Sequence, residues 1–209
     1  MSSLDILNEY LTNFSQSPSS SKLKDIEQAI WTEFGKTGVV CVVDMSGFTK
    51  ASQQHGIIYY LALVKRMQAI VEPLIIENNG NVVKFEADNC FARFDTTDDA
   101  IHAIKKILDA VKKDNLSTPN DLDIVLSIGM DFGEFLLLRS NDYWGDTVNR
   151  ASKLGEDIAG SGVVLLTDRA WENLTNKKSI QVVKNESDIS NVSISTYEVF
   201  YSESARSLD

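Results

Sequence analysis

The stretch GVVCVVDMSGFT, Gly38 to Thr49, decides how the rest of the chain is read. Val39 to Val43 is an unbroken apolar run that closes on a carboxylate, Asp44. Five apolar residues without alternation describe a strand covered on both faces, at the centre of a sheet. Ser46 and Gly47 break the run and lead toward a helix. A carboxylate at the end of a core strand, followed by backbone N–H groups that a turn leaves free, offers a metal ligand beside a place for phosphate. Alone, such a motif is most often ordinary turn chemistry.

Outward from this strand, strands and helices alternate. Apolar positions at Ile57, Leu61, Val64, Met67, Val71 and Leu74 predict a helix over about residues 52–78, closed by Asn78-Asn79-Gly80. Pro73 inside it predicts a kink or a break. Val82–Glu86 and Cys90–Phe94 read as a hairpin. Thr97-Asp98-Asp99 caps a helix that uses Ile101, Ile104, Leu108 and Val111. Two strands, Leu122–Met130 and Glu134–Leu138, flank Gly133. A helix from about Gly145 to Asp157, a strand Val163–Leu166, a helix capped by Thr167 and strands near 179–184 and 194–201 complete the order. The sequence β-α-β-β-α-β predicts an α+β fold, an α/β sandwich with a ferredoxin-like core and additional C-terminal strands and helices. Upstream, Leu4, Leu7, Leu11 and Phe14 mark one amphipathic helix, and Leu23, Ile26, Ile30 and Phe34 a second, joined by the serine-rich stretch 15–21. The expected organisation is a helical arm with its linker at 1–35, a main domain at 36–201 and a tail at 202–209.

With 43% hydrophobic and 24% charged residues among 209, disorder of the whole chain is excluded. Twenty basic against thirty acidic residues give −10, a balance that repels nucleic acid and anionic membrane surfaces. Cys41 and Cys90 lie in apolar runs with no CxxC pair, as reduced thiols do. The apolar stretch Ile57 to Ile76 carries Lys65, Arg66 and Glu72, which suits a buried helix and not a membrane span. No basic N-terminal region of a secretory signal is visible. The expectation is a soluble cytoplasmic protein without nucleic-acid partner or membrane insertion. His55 and His102 have no partner at ligand spacing, His102 beside a core stripe. Trp31, Trp144 and Trp171 read as packing residues.

Two further segments carry chemistry. In Lys84-Phe-Glu-Ala-Asp88, the carboxylate of Asp88 meets Asp44 if the two strands pair, giving two hard oxygen donors. Taken alone it is a solvated hairpin turn. In Asp142-Tyr-Trp-Gly-Asp-Thr-Val-Asn149-Arg-Ala-Ser-Lys153, Asn149 and Lys153 are four apart and share a helix face, about 40° apart in projection. An amide and a cation on one face suit ribose and phosphate, and equally an ordinary exposed helix side.

Taken in order, DMSGFT at 44–49, Lys84 with Asp88 after a strand, IGMDFGE at 128–134 and DYWGDTVNRAS at 142–152 resemble the catalytic domain of class III nucleotidyl cyclases, over residues 36–200. The resemblance implies that Asp44 and Asp88, with the Met45 carbonyl, hold two Mg²⁺ or Mn²⁺ ions per active site. It implies that the amides of Ser46, Gly47, Phe48 and Thr49 cradle phosphate, that Lys84 and Asp142 read adenine, and that Asn149 orients the ribose. Guanylate cyclases typically have Glu and Cys where Lys84 and Asp142 stand. Lys153 occupies the place of a family arginine that stabilises the transferring phosphoryl group. Asp188 falls where the family has a lysine for the terminal phosphates, with Lys184 four residues away as its substitute. Glu86 and Ala87 replace the usual apolar-Gly pair, and strand alternation puts Glu86 beside Lys84, where it pairs with the lysine and blunts purine reading. The implied function is an adenylate cyclase, converting ATP to 3′,5′-cyclic AMP and pyrophosphate at the interface of a homodimer. The competing expectation is a degenerate cyclase-like domain that binds nucleotide or a partner with little turnover.

Overall fold

A computed structural model describes residues 2–17, 19–47, 55–119, 122–139, 142–189 and 192–201. Helix α1 (Ser3–Ser15) opens with a capping box in which Ser2 accepts from the Asp5 amide and Asp5 accepts from the Ser2 amide. Helix α2 (Ser20–Phe34), capped by Ser19, runs straight into strand β1 (Gly35–Met45). Leu7, Ile30 and Phe34 bury their side chains against Leu138, so the arm is packed onto the body of the fold.

After β1 come α3 (Ile57–Glu77), the hairpin β2 (Asn81–Glu86) and β3 (Asn89–Phe94), α4 (Thr97–Asn115), and β4 (Leu126–Leu138). The expected start of α3 at 52–54 lies outside the described residues. A short β5 (Asp142–Trp144) leads into α5 (Asp146–Ser152), which continues as a π-helical turn over Lys153–Ile158. Then follow β6 (Val164–Thr167), α6 (Asp168–Asn173) and the hairpin β7 (Gln181–Ile189) and β8 (Val192–Phe200). The sheet order is β2-β3-β1-β4-β6-β8-β7, with β5 paired to β4. The first four strands carry the ferredoxin-like connection, and β1 is central as its unbroken apolar run required.

The strand period sorts β1 onto two faces. Val39, Cys41, Val43 and Met45 pack with α3 and α4, among Met67, Ile75, Ile104 and Ile107. Val40 and Val42 pack beneath α5 with Phe135, Tyr143 and Ala151. Both cysteines are buried free thiols.

Four expectations need correction. The break allowed at Pro73 is absent: α3 runs through it from Ile57 to Glu77, with Pro73 on its exposed side. The cap of α4 is Thr96, not Thr97, with its hydroxyl accepting from the Asp99 amide. Gly133 does not separate two strands, since β4 is continuous through it, and Leu122 to Val125 precede the strand. His102 is exposed on α4, and Trp31 and Trp144 keep 39% and 40% of their surface, so these three are not core residues. Trp171 does pack, stacked on Tyr197.

Candidate active site

The end of β1 sets Asp44 opposite Asn89 on one neighbour and Ser127 on the other. Asp88, one residue before Asn89, occupies the β2–β3 turn, where Ala87 adopts a positive φ of 51°. The two carboxylates that the sequence separates by 44 positions are thus neighbours. Partial burial, then the charges of Asp88 and Glu156, push the Asp44 carboxyl up to about 6. Burial also raises Asp88, against which the Tyr60 hydroxyl donates a hydrogen bond. Among the described residues no three His, Cys, Asp or Glu side chains converge as a metal cage. Two carboxylates, with the Met45 carbonyl following Asp44 in the chain, would supply the all-oxygen donors that Mg²⁺ and Mn²⁺ take, and the unfavourable charge on Asp44 is what a cation would relieve. Glu156 escaped the sequence reading because it approaches this pair from the π-helical turn, which no α-helical period places.

Ser46 and Gly47 follow. The Ser46 amide is already committed to the Val125 carbonyl at 2.8 Å, and its hydroxyl to Ser127 at 2.6 Å, so the expected phosphate cradle does not include that amide. Gly47 has φ +84°, and among the described residues nothing lies within 4 Å of where its Cβ would stand. Phe48 and Thr49 lie outside the described residues.

On the neighbouring edge, Lys84 Nζ stands 3.0 Å from Glu86 Oε2 and 3.2 Å from Asp142 Oδ1, and 5.1 Å above the Phe91 ring. The pairing with Glu86 read from strand alternation is present. Hydrogen bonds that the Lys84 ammonium donates to the Glu86 and Asp142 carboxylates raise its pKa above the ordinary value, against the opposing effect of burial. Asn149 is exposed on α5. Lys153, exposed as well, pairs with Asp157 at 2.5 Å. Lys184 stands on β7, the outer strand opposite to that of Lys84, with its ammonium 5.8 Å from the Tyr197 ring. One chain therefore brings together Asp44 with Asp88 and Lys84 with Asp142, and holds Lys184 at the far edge. A cavity of about 850 Å³ opens elsewhere, between α4 and the ends of β4, β6 and β8, and none of these residues lines it.

Two glycines place the helix that carries Asn149 and Lys153. A Cβ on Gly129 would stand 2.3 Å from both the Ala151 carbonyl oxygen and the Gly155 nitrogen, and one on Gly155 would stand 2.9 Å from the Val42 carbonyl oxygen. Their missing side chains let the α5 segment lie directly on β1 and β4, and there the Ala159 amide reaches back five residues to the Leu154 carbonyl at 2.7 Å.

The family model of the adenylate and guanylate cyclase catalytic domain matches residues 33–200. The chain belongs to this family. A curated relative, putative adenylate cyclase 3 of Rhizobium meliloti (strain 1021), is 24% identical over 148 residues, 71% of this chain. The chain spans only 25% of that relative's length. Among solved structures, the adenylate/guanylate cyclase/hydrolase from Silicibacter pomeroyi superposes with a TM-score of 0.67 at 23% identity, over 80% of this chain and 98% of the other. The non-canonical dimeric guanylyl cyclase domain from Blastocladiella emersonii gives 0.64 at 20%, over 79% and 97%. At these identities the structures share the fold. The chain is a class III nucleotidyl cyclase domain with the α+β architecture read from its sequence, and no described helix is long and apolar enough to cross a membrane.

Proposed function

We propose that this domain is an adenylate cyclase, converting ATP to 3′,5′-cyclic AMP and pyrophosphate at a site completed by a second copy. The observation that carries the reading is the Lys84–Asp142 pair, 3.2 Å apart at one edge. An ammonium donates to a ring nitrogen of adenine and a carboxylate accepts from its 6-amino group, whereas guanine presents the opposite order at that edge. Asn149 orients the ribose, Lys153 carries positive charge toward the α-phosphate, and Gly47 with the residues after it receives the phosphates, aided by Lys184. Asp44, Asp88 and the Met45 carbonyl would hold the two divalent ions, Mg²⁺ or Mn²⁺. Such ions supply a lower pKa for the ribose 3′-hydroxyl and neutralise the departing pyrophosphate. We place the catalytic domain at 36–201, with the arm at 1–35 and the tail at 202–209, and its workplace in the cytoplasm. Assembly of two copies is supported by the dimeric domain from Blastocladiella emersonii that shares the fold.

The competing reading, a domain that binds nucleotide with little turnover, draws on the pairing of Lys153 with Asp157 and on the committed Ser46 amide. Purified protein incubated with ATP or GTP and Mn²⁺ or Mg²⁺ separates the two by the cyclic product formed. Asp44→Ala and Asn149→Ala should each be inactive. Their mixture should recover roughly a quarter of the wild-type rate, because half of the dimers are mixed and each of those keeps one of its two sites. No recovery despite demonstrated subunit exchange refutes a shared site.

A further inference from the structure

Asp131, in the IGMDFGE stretch, is fully buried and takes no part in the site above. It lies on β4 between Gly129 and Gly133, on the face that α5 covers. A Cβ on Gly133 would stand 2.6 Å from Thr147 Oγ1. A carboxylate under a helix is costly unless it is paired. The Thr167 hydroxyl donates to its Oδ1 at 2.5 Å and Arg169 Nε donates to the same oxygen at 3.1 Å, while Arg169 Nη2 donates to Oδ2. That same Nη2 lies 3.1 Å from Asp146 Oδ2, which also accepts from Arg150 Nε at 3.0 Å. Asp146 is the first residue of α5, with Asn149 three and Lys153 seven residues further along one side of the helix. A single guanidinium therefore ties the buried floor of β4 to the start of α5. A planar fork can take the Asp131 carboxylate through two donors and still reach Asp146, a geometry that a point-charge ammonium does not reproduce.

We propose that Arg169 is a positioning residue for the nucleotide: by bridging Asp131 and Asp146 it fixes α5, and with it the placement of Asn149 and Lys153. The effect on turnover rests on the cyclase reading of those two residues; the tether itself does not. Arg169→Lys keeps a cation on Asp131 but loses the fork, and Asp146→Ala leaves the Asp131–Arg169 pair intact while cutting the link to α5. Each should lower kcat about tenfold, measured well below the melting midpoint on protein shown to be folded. The double variant should be no slower than the slower single variant, and Asp146→Glu should keep at least half of the wild-type kcat. Amide hydrogen exchange over residues 149–153 should accelerate in both single variants. Losses that multiply in the double variant, or a kcat that stays at the wild-type level in the folded protein, overturn the proposal. If the wild type makes no cyclic product, the cyclase reading fails and exchange alone decides the tether: acceleration sustains it, and unchanged exchange overturns it.

Discussion

Gly129→Ala tests whether the close seat of α5 on β4 is what places the helix carrying Asn149 and Lys153, the residues proposed to act on the nucleotide. The new methyl would stand 2.3 Å from the Ala151 carbonyl oxygen and the Gly155 nitrogen and 2.7 Å from Leu154 Cβ, whereas ordinary contact begins near 3.4 Å. Two of the three obstacles are backbone atoms, so no side chain can swing aside, and the segment has to lift by about 1 Å. Overpacking of this kind costs about 1–3 kcal/mol, offset in part by the ~0.5–1 kcal/mol that glycine costs a strand. A net loss of about 1–2 kcal/mol corresponds to a fall of roughly 2–8 °C in Tm for a chain of this size. The same lift moves Asn149 and Lys153, and a displacement of about 1 Å at reacting groups costs on the order of 10²-fold in rate. Thermal unfolding followed by circular dichroism, with initial rates of cyclic AMP formation at 20–25 °C, measures both. Gly160→Ala, whose Cβ would find its nearest neighbour, Val163, at 3.6 Å, serves as the silent control. Wild-type melting and wild-type rate in Gly129→Ala would refute the reasoning. Lower stability with an unchanged kcat would keep the clash but sever it from catalysis.

Three further outcomes follow from the same geometry. Lys84→Glu combined with Asp142→Cys should erode the preference for ATP over GTP in competition assays, and equal use of both nucleotides by the wild type would overturn the base assignment. Lys153→Ala should lower kcat on the order of 10²-fold with little change in the affinity of a non-cyclisable ATP analogue, as loss of one electrostatic donor does; Lys153→Arg should preserve or raise the rate, and an unchanged rate in Lys153→Ala removes the residue from the mechanism. Leu7→Ala should destabilise the packing of the arm by about 2–4 kcal/mol, visible as a lower Tm; an unchanged Tm would mean that the arm unfolds independently of the sheet.

What the sequence revealed, and what it hid, follows from the range of the interactions involved. The central place of β1 was legible because burial on both faces removes the polar alternation from Val39 to Val43. The Lys84–Glu86 pair was legible because strand alternation reaches exactly two residues. Gly133 misled, because a glycine in a strand reads as a break, while its cause is Thr147 pressing on the strand from another element. Lys153 shares the helix face of Asn149 by count, and the same four-residue count brings it to Asp157, the partner it takes. Glu156 and the Asp131–Arg169 bridge were invisible because their partners are distant in sequence and brought near by the sheet order. The phosphate cradle was over-read at Ser46, whose amide looks free in a turn and is instead used by Val125.

If the chain takes ATP as proposed, a protein carrying −10 net charge has to receive a polyanion, and the pairing of its cations bears on how. Lys84 and Lys153 both already hold carboxylates, so a nucleotide exchanges partners with them instead of filling an empty positive pocket. The exchange is cheap where the pairs are exposed: Lys153 and Asp157 keep 46% and 54% of their side-chain surface, and such pairs are worth about 0–1 kcal/mol. At Lys84 the two carboxylates are not equivalent. In the proposed adenylate cyclase, adenine would bridge Lys84 and Asp142, taking a hydrogen bond from one and giving one to the other, so that pair would be spanned and not broken. Glu86 offers adenine no complementary role and has to release the ammonium before the base can take its place. Its side chain is 66% exposed against 33% for Asp142, which makes it the easier of the two to displace. On the proposed reading Glu86 therefore sets the cost of adenine entry, while Asp142 sets its selectivity. Glu86→Gln should lower the KM for ATP by about two- to five-fold, the scale of one exposed ion pair, and leave kcat unchanged. A KM that rises on this substitution would instead make Glu86 a contact of the bound nucleotide.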